Sequence, residues 1–322
     1  MSLQHTLQPI PKTQDIVFKE KFIERYSAMC DFEEFRKYSL SFLRKSIRVN
    51  TLKMPVKTLV ARLEHRWSLE QVPWCNEGFW IQDTSEEKRR DVGNLPEHVL
   101  GYIYIQEAAS MIPPIVLDPK PGERVLDLCA APGSKTTQLA QYMNNQGILL
   151  ANDSDGLRLA ALGINIQRCG ITNCVITNMQ GRRFREMEFD RILVDAPCSG
   201  TGTIRKSLKT ITMWNSNMVK RLAGTQRQLL TTAFAMLRPG GALVYSTCTL
   251  EPEEDEGVVD ALLKTRPNAT TVPIDLCINS RRPVLSFEGK EFDPRVKNCL
   301  RIFPQDNDTE GFFVAKIHKE SA

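Results

Sequence analysis

The chain has 322 residues, 42% hydrophobic and 25% charged, long enough for two domains of ordinary size or one core domain with a substantial appendage. No apolar run approaches the roughly 20 residues that span a bilayer and the N-terminus lacks the order of a signal peptide, so a soluble cytoplasmic protein without membrane association is expected. Nine cysteines with no CxxC pair and only four histidines argue against a disulfide framework and against a metal site, while a net charge of +4 permits a nucleic-acid partner without demanding one.

The first dozen residues read as a flexible lead. DIVFKEKFIERYSAM and DFEEFRKYSLSFLRK carry apolar residues at helical spacing, with Asp31 placed to cap the second helix. SIRVNTLKM alternates like a strand, PVKTLVARLEHR keeps a helical stripe (Val56, Leu59, Val60, Leu63), and WSLEQVPW and GFWIQ read as short strands. These segments make a small α+β unit over residues 1–105. Its Lys12, Lys19, Lys21, Arg25, Arg36, Lys37, Arg44, Lys45, Arg48 and Lys53 form either a solvated helix surface or an RNA-facing one. Trp67, Trp74 and Trp80 suit a small core better than base stacking.

From QEAASMIPPIVLD onward the pattern changes. A helical segment ends near Pro119, and VLDLCAAPGSKTTQLAQYM gives strand, small-residue loop and helix. ILLANDSD, CVITNM, RILVDAP and ALVYST supply further strands, alternating with helices over GLRLAALGINIQRCG and from Met218 to Leu237. Such alternation predicts an α/β, doubly wound, Rossmann-like sheet over residues 106–322. The acidic run EPEEDE fits the first turn of a helix, with Pro252 at its first position. RIFPQDNDTEGFFVAKIHK offers two closing strands around a turn.

Two groups of residues carry chemistry. LDLCAAPGSKTT places Asp127 at a strand end, then small residues and Gly133 before a helix, the geometry that lets backbone approach a nucleotide at the carboxyl edge of a parallel sheet. It is neither a P-loop nor GxGxxG, because Leu128 holds the first glycine position and Ser134 separates Gly133 from Lys135. Asp153, at the next strand end, is placed for ribose hydroxyls, which points to a nucleoside without a pyrophosphate, such as S-adenosylmethionine. The second group is a pair of thiols. Cys198 follows Asp195 and Pro197 just beyond one strand, and Cys248 follows the next, so in a doubly wound sheet both reach the same edge. Either alone reads as inert core, whereas together, beside a carboxylate, they point to acid/base and nucleophilic chemistry.

DLCAAPGSKTTQLA, ANDSD, FDRILVDAPCSGTG and LVYSTCTLEPEEDE, in this order, with SIRVNTLK before and DTEGFFVAKIHK after, resemble the NOL/NOP/Sun family of RNA cytosine-5 methyltransferases over nearly the whole chain. The resemblance implies S-adenosylmethionine as cofactor, Cys248 as the nucleophile at carbon 6 of cytosine, Asp195 at the ring edge with Lys135 beside it, and Cys198 in product release. By position it also implies a cofactor set of Cys129, Ala130, Ala131, Pro132, Gly133, Ser134, Lys135, Asp153, Arg158, Gln180 and Asp195, with Gln180 standing where relatives carry Asp. That replacement predicts retained but weaker cofactor binding. Residues 1–105 become an RNA-recognition module and 106–322 the catalytic domain. Because the sequence stops soon after the catalytic domain, tRNA is favoured over rRNA as substrate, and a monomer is expected. The alternatives are an rRNA enzyme, methylation of uridine, and a non-catalytic RNA-binding or ribosome-assembly factor. Arg205 and Lys206 are read as RNA-phosphate contacts or a solvated loop, and Cys169 and Cys174 as ordinary buried thiols.

Overall fold

In the computed structural model, which describes residues 7–84 and 91–321, two short helices come first, α1 (Glu20–Ser27) and α2 (Phe32–Ser39). Residues 1–6 of the expected flexible lead lie outside the described residues. Asp31 caps α2 as expected, accepting the Glu34 amide at 3.1 Å. The helix stops sooner than its apolar stripe because the Leu40 carbonyl and the Phe42 amide are engaged by Ile10 and Gln8, both at 2.8 Å. Phe22, Tyr26 and Phe35 share one buried cluster with Ile204, Ile211, Trp214, Leu250 and Phe303. Both helices therefore pack on the catalytic part, away from the small unit with which their sequence position groups them.

That small unit is an antiparallel sheet of β1 (Ser46–Val49), β2 (Trp67–Gln71), β3 (Gly78–Asp83) and β4 (Ile103–Ile105), in the order β2-β3-β1-β4, with α3 (Val56–Leu63) on one face. Ile47, Val49, Leu59, Leu63 and Trp67 fill its core. Trp74 and Trp80 meet edge to face at 5.7 Å and pack against Met111, Leu117 and Leu139 of the catalytic part. All three tryptophans are thus core residues. The basic face is smaller than the sequence suggests, because Arg25 bonds Glu251 and Glu253 at 2.8 and 2.7 Å and Arg44 pairs with Glu70. Arg48 is buried, donating to the Ser134 carbonyl and the Thr137 hydroxyl at 2.9 Å each. Lys12, Lys21 and Lys37 remain exposed.

The catalytic part runs α4 (Ile112–Leu117), β5 (Arg124–Asp127), α5 (Ser134–Tyr142), β6 (Ile148–Asn152), α6 (Gly156–Cys169), β7 (Cys174–Thr177), β8 (Phe189–Asp195), α7 (Ser216–Met236) and β9 (Leu237–Thr247). It closes with α8 (Glu256–Thr265), β10 (Ala269–Val272), β11 (Leu300–Ile302) and β12 (Phe312–Lys319). The sheet order is β10-β12-β9-β8-β5-β6-β7, with β11 paired to β12. Strands β5 to β9 are parallel, and β12 lies antiparallel against β9. Parallel strands covered on both faces need apolar residues at every position. Accordingly Leu193 and Val244 face a layer with Leu139 and Leu162, while Ile192, Val194 and Leu243 face Leu230, Phe234 and Val259. The order reverses between β5 and β8, opening a crevice at the carboxyl ends of those strands.

One sequence reading needs correction. Helix α8 starts at Glu256, four residues after Pro252, which lies in a turn and not at a first helical position. Most of the acidic run precedes the helix and is buried: Glu251, Glu254, Asp255 and Glu256 are all inaccessible to solvent. Together they hold distant parts of the chain. Glu251 binds Arg25, the Tyr26 hydroxyl (3.0 Å) and the Trp214 indole (2.8 Å). Glu254 accepts from the Ser199 amide at 3.0 Å and Gln226 at 2.8 Å. Asp255 and Glu256 share buried Arg301, at 3.0 and 2.5 Å. Buried carboxylates survive only when paired or hydrogen-bonded, and here the partners come from residues 25 to 301.

Candidate active site

Strands β8 and β9 are in register with Asp195 opposite Ser246. Three residues beyond Asp195 and two beyond Ser246, the chains turn, which brings the sulfurs of Cys198 and Cys248 to 3.3 Å. Both thiols are half-buried. The turn carrying Cys198 is fixed from behind, since Glu254 holds the Ser199 amide and Gln226 donates to the Pro197 carbonyl at 2.9 Å. It is also fixed from the side, where the Gly202 amide donates to the Cys248 carbonyl at 3.0 Å. Gly202 has to be glycine, because a Cβ there would meet the Gly311 carbonyl oxygen at 2.2 Å. The contact with Cys248, and burial after it, hold the Cys198 thiol well above its ordinary pKa. A thiol that keeps its proton suits proton transfer better than attack.

Asp195 is the hub of the polar side. One carboxylate oxygen accepts from the Lys135 ammonium at 2.7 Å and the other from the Ser246 hydroxyl at 2.9 Å. Burial works against the Lys135 charge, but Asp195 outweighs it, with help from Cys248 and Asp127, so the lysine pKa is raised and the group is a fixed cation. Its nitrogen also lies 5.4 Å from the centre of the Phe312 ring. Ser246 and Phe312 have no signal in the linear chain beyond proximity to Cys248 and to the closing strand.

The cofactor loop follows β5. Cys129 and Ser134 are half-buried, Ala130, Ala131, Gly133 and Lys135 buried, and Pro132 exposed at the tip, with Gly133 at φ +107° where the loop enters α5. At the end of β6, Asp153 is 4% exposed; it accepts from the Ala131 and Asp155 amides at 3.2 and 2.9 Å and pairs with Arg158 at 3.4 Å. Arg158 reaches back to the Ala131 carbonyl, so loop, acid and arginine form one unit. Asp127 gives one oxygen to the Thr136 hydroxyl at 2.7 Å and leaves the other buried without a hydrogen-bond partner. Burial pushes its carboxyl up to about 7. Acceptors of this kind at the switch point of the sheet fit the hydroxyl and amino donors of a nucleoside such as S-adenosylmethionine. Gln180 lies on the loop after β7, which Asn152 and Asp153 hold through Met179 and Asn178. Its own side chain is exposed and accepts from Arg182 at 3.1 Å.

Arg205 is neither an RNA contact nor part of a solvated loop. It is 5% exposed, pairs with Asp308 at 2.7 Å and donates to the carbonyls of Ser41, Phe42 and Thr309. Lys206 beside it is exposed, and its nitrogen stands 4.0 Å from Glu310. Cys169 is buried as expected, and Cys174 half-buried.

Two family models match the chain: 16S rRNA methyltransferase RsmB/F over residues 114–318, and the N-terminal domain of 16S rRNA methyltransferase RsmF over residues 18–108. A tRNA (cytosine(49)-C(5))-methyltransferase of Pyrococcus abyssi is 47% identical over 305 residues, covering 93% of this chain and 96% of that protein. A ribosomal RNA small subunit methyltransferase F of Vibrio vulnificus is 43% identical over 95% of this chain, which spans only 65% of that relative's length. Among solved structures, a methyltransferase homologue from Pyrococcus horikoshii superposes with a TM-score of 0.82 at 38% identity, covering 94% of this chain and 95% of that one. With both parts matched and identity spread over nearly its full length, the chain belongs to the RsmB/F, or NOL1/NOP2/Sun, family of S-adenosylmethionine-dependent RNA cytosine-5 methyltransferases.

Proposed function

We propose that this chain methylates carbon 5 of a cytosine in tRNA, with Cys248 as nucleophile, Asp195 and Lys135 at the base edge, and Cys198 as the thiol of release. The observation that carries the reading is the thiol pair, 3.3 Å apart and flanked by the Lys135–Asp195 ion pair. Carbon 5 of cytosine is a poor nucleophile. Addition of the Cys248 thiolate at carbon 6 pushes an electron pair toward carbon 5, while Asp195 bonds the ring edge and disperses the charge that develops there. Lys135 fixes the carboxylate in that task. Bound S-adenosylmethionine, held by residues 129–135, Asp153, Arg158 and Gln180, supplies an electrophilic methyl group. Loss of the proton on carbon 5 to solvent then returns its electron pair to the ring and breaks the Cys248–carbon bond, and Cys198, which keeps its proton at rest, is positioned to protonate the departing Cys248 thiolate. The base must leave its stack for both ring faces to be reached.

The tRNA target rests on the archaeal relative, matched along 96% of its length, against the 65% coverage of the rRNA enzyme. The N-terminal sheet is the proposed RNA-recognition module, and a cytoplasmic monomer is part of the same reading. Among the described residues no helix is long and apolar enough to cross a membrane. Bisulfite mapping of total RNA from cells with and without the protein tests the proposal. Loss of a tRNA 5-methylcytosine supports it, and loss confined to rRNA assigns the rRNA reading.

A further inference from the structure

The sheet order lays the acidic groups of the site along one edge. Asp153 ends β6, Asp127 ends β5, Asp195 ends β8, and Cys248 lies just beyond β9. The next strand, β12, is antiparallel, so it is its beginning that reaches this edge, and Glu310 lies two residues before it. Glu310 therefore sits on the far side of β9 from β8, within electrostatic reach of Lys135. Its neighbour Gly311 binds the turn of Gly202, its amide donating to the Gly202 carbonyl at 2.9 Å.

Glu310 is 4% exposed, and its Oε1 is buried with no hydrogen-bond donor among the described residues. Lys206 stands 4.0 Å off at the rim, beyond hydrogen-bond reach. Behind it lies a second acid, Glu107, which accepts from the Glu310 amide at 3.2 Å and the Ser110 amide at 3.1 Å. Burial, and then the charge of Glu310, push the Glu107 carboxyl up, while burial also pushes Glu310 up against the opposing pull of Lys206, Lys135 and Arg205. The pair thus favours a single charge. An acceptor kept this dry without a donor is destabilising unless something supplies one.

A strand whose base lies between Cys248 and the cofactor has to pass its sugar–phosphate backbone along the side the cofactor leaves open. Phosphate and ring oxygens of that backbone only accept, and a carboxylate repels them. The ribose 2′-hydroxyl is its one donor, and it is the group that separates RNA from DNA. We propose that Glu310, backed by Glu107, is a specificity residue that accepts a hydrogen bond from the ribose 2′-hydroxyl of the target nucleotide, while Lys206 at the rim faces the adjoining phosphate.

The inference rests on the tRNA reading above. Its test uses two synthetic tRNA-length strands, identical except that the cytidine the wild-type protein methylates, located by the bisulfite map, is ribose in one and 2′-deoxyribose in the other. The wild-type protein should prefer the ribose strand by about 10- to 100-fold in kcat/KM, the range of a hydrogen bond to a charged acceptor. Glu310→Ala should bring that ratio close to one, and Glu310→Gln, which keeps the shape and an acceptor oxygen, should keep part of it. Cofactor binding by calorimetry confirms that each variant is folded. Equal wild-type rates on both strands, or a Glu310→Ala loss of the same factor on both, would overturn the inference alone. If neither strand is methylated the tRNA reading fails, and the inference falls with it.

Discussion

Cys198 and Cys248 meet at 3.3 Å because the strands that carry them are parallel neighbours, with Asp195 opposite Ser246. The contact with Cys248, and burial after it, raise the Cys198 pKa, which suits Cys198 to hold a proton and leaves attack to Cys248. Cys248→Ala should therefore abolish turnover, by roughly 10⁴-fold or more, as nucleophile deletions do, with cofactor binding near normal. Cys198→Ala should let attack and transfer proceed and slow the release, so a covalent protein–RNA adduct should accumulate on denaturing gels. Substantial methylation by the first variant, or no adduct with the second, would reassign the thiols.

Burial pushes Glu254 up to about 7 from an ordinary 4.5, and Asp127 to about 7 from 3.8. Between those values the folded chain holds protons that the unfolded chain has released. Their contribution to stability is complete below about pH 4 and is lost as pH rises through about 7. Glu254→Gln, which still accepts from the Ser199 amide, should flatten the decline in urea stability between pH 5 and 8. Identical slopes for variant and wild type would show that Glu254 holds no proton in that window.

Arg205 and Lys206 are adjacent in the chain and opposite in role. Arg205→Ala removes an ion pair to half-buried Asp308 and hydrogen bonds to three carbonyls, and should cost about 3 kcal/mol of stability. Lys206→Ala should leave the melting temperature in place, weaken RNA binding across sequences and lower the salt slope by about one. Equilibrium unfolding and salt-dependent binding separate the two.

The family resemblance implies an acid at the position of Gln180. Its amide oxygen offers a donor group the same bond without the charge, so Gln180→Asp should tighten S-adenosylmethionine binding several-fold by calorimetry. An unchanged affinity would mean that the side chain, which turns to Arg182 at 3.1 Å, makes no direct contact with the cofactor.

The parallel sheet and both thiols were legible in the chain because each rests on local pattern. Apolar runs such as RILV can only be covered strands, and a residue just beyond a parallel strand can only reach its carboxyl edge. EPEEDE was not legible for the opposite reason. Its five acids have the composition of a helix's first turn, and the groups that bury four of them, Arg25, Trp214, Gln226 and Arg301, are each at least 25 residues away. Arg205 misled in the same way, since its partners lie at Ser41, Phe42 and Asp308. Glu310 drew no notice, because a missing donor is a property of the folded surroundings and not of the residue.

The antiparallel pairing of β12 with β9 sets an order of events during synthesis. A ribosome that has translated Cys248 has still to make more than sixty residues before Phe312–Lys319 can be laid beside the strand that carries it. Until then β9 has an open edge, and Gly202 lacks the Gly311 partner that pins the thiol turn. An unfinished chain can hold the cofactor loop and both cysteines and still have no assembled thiol site.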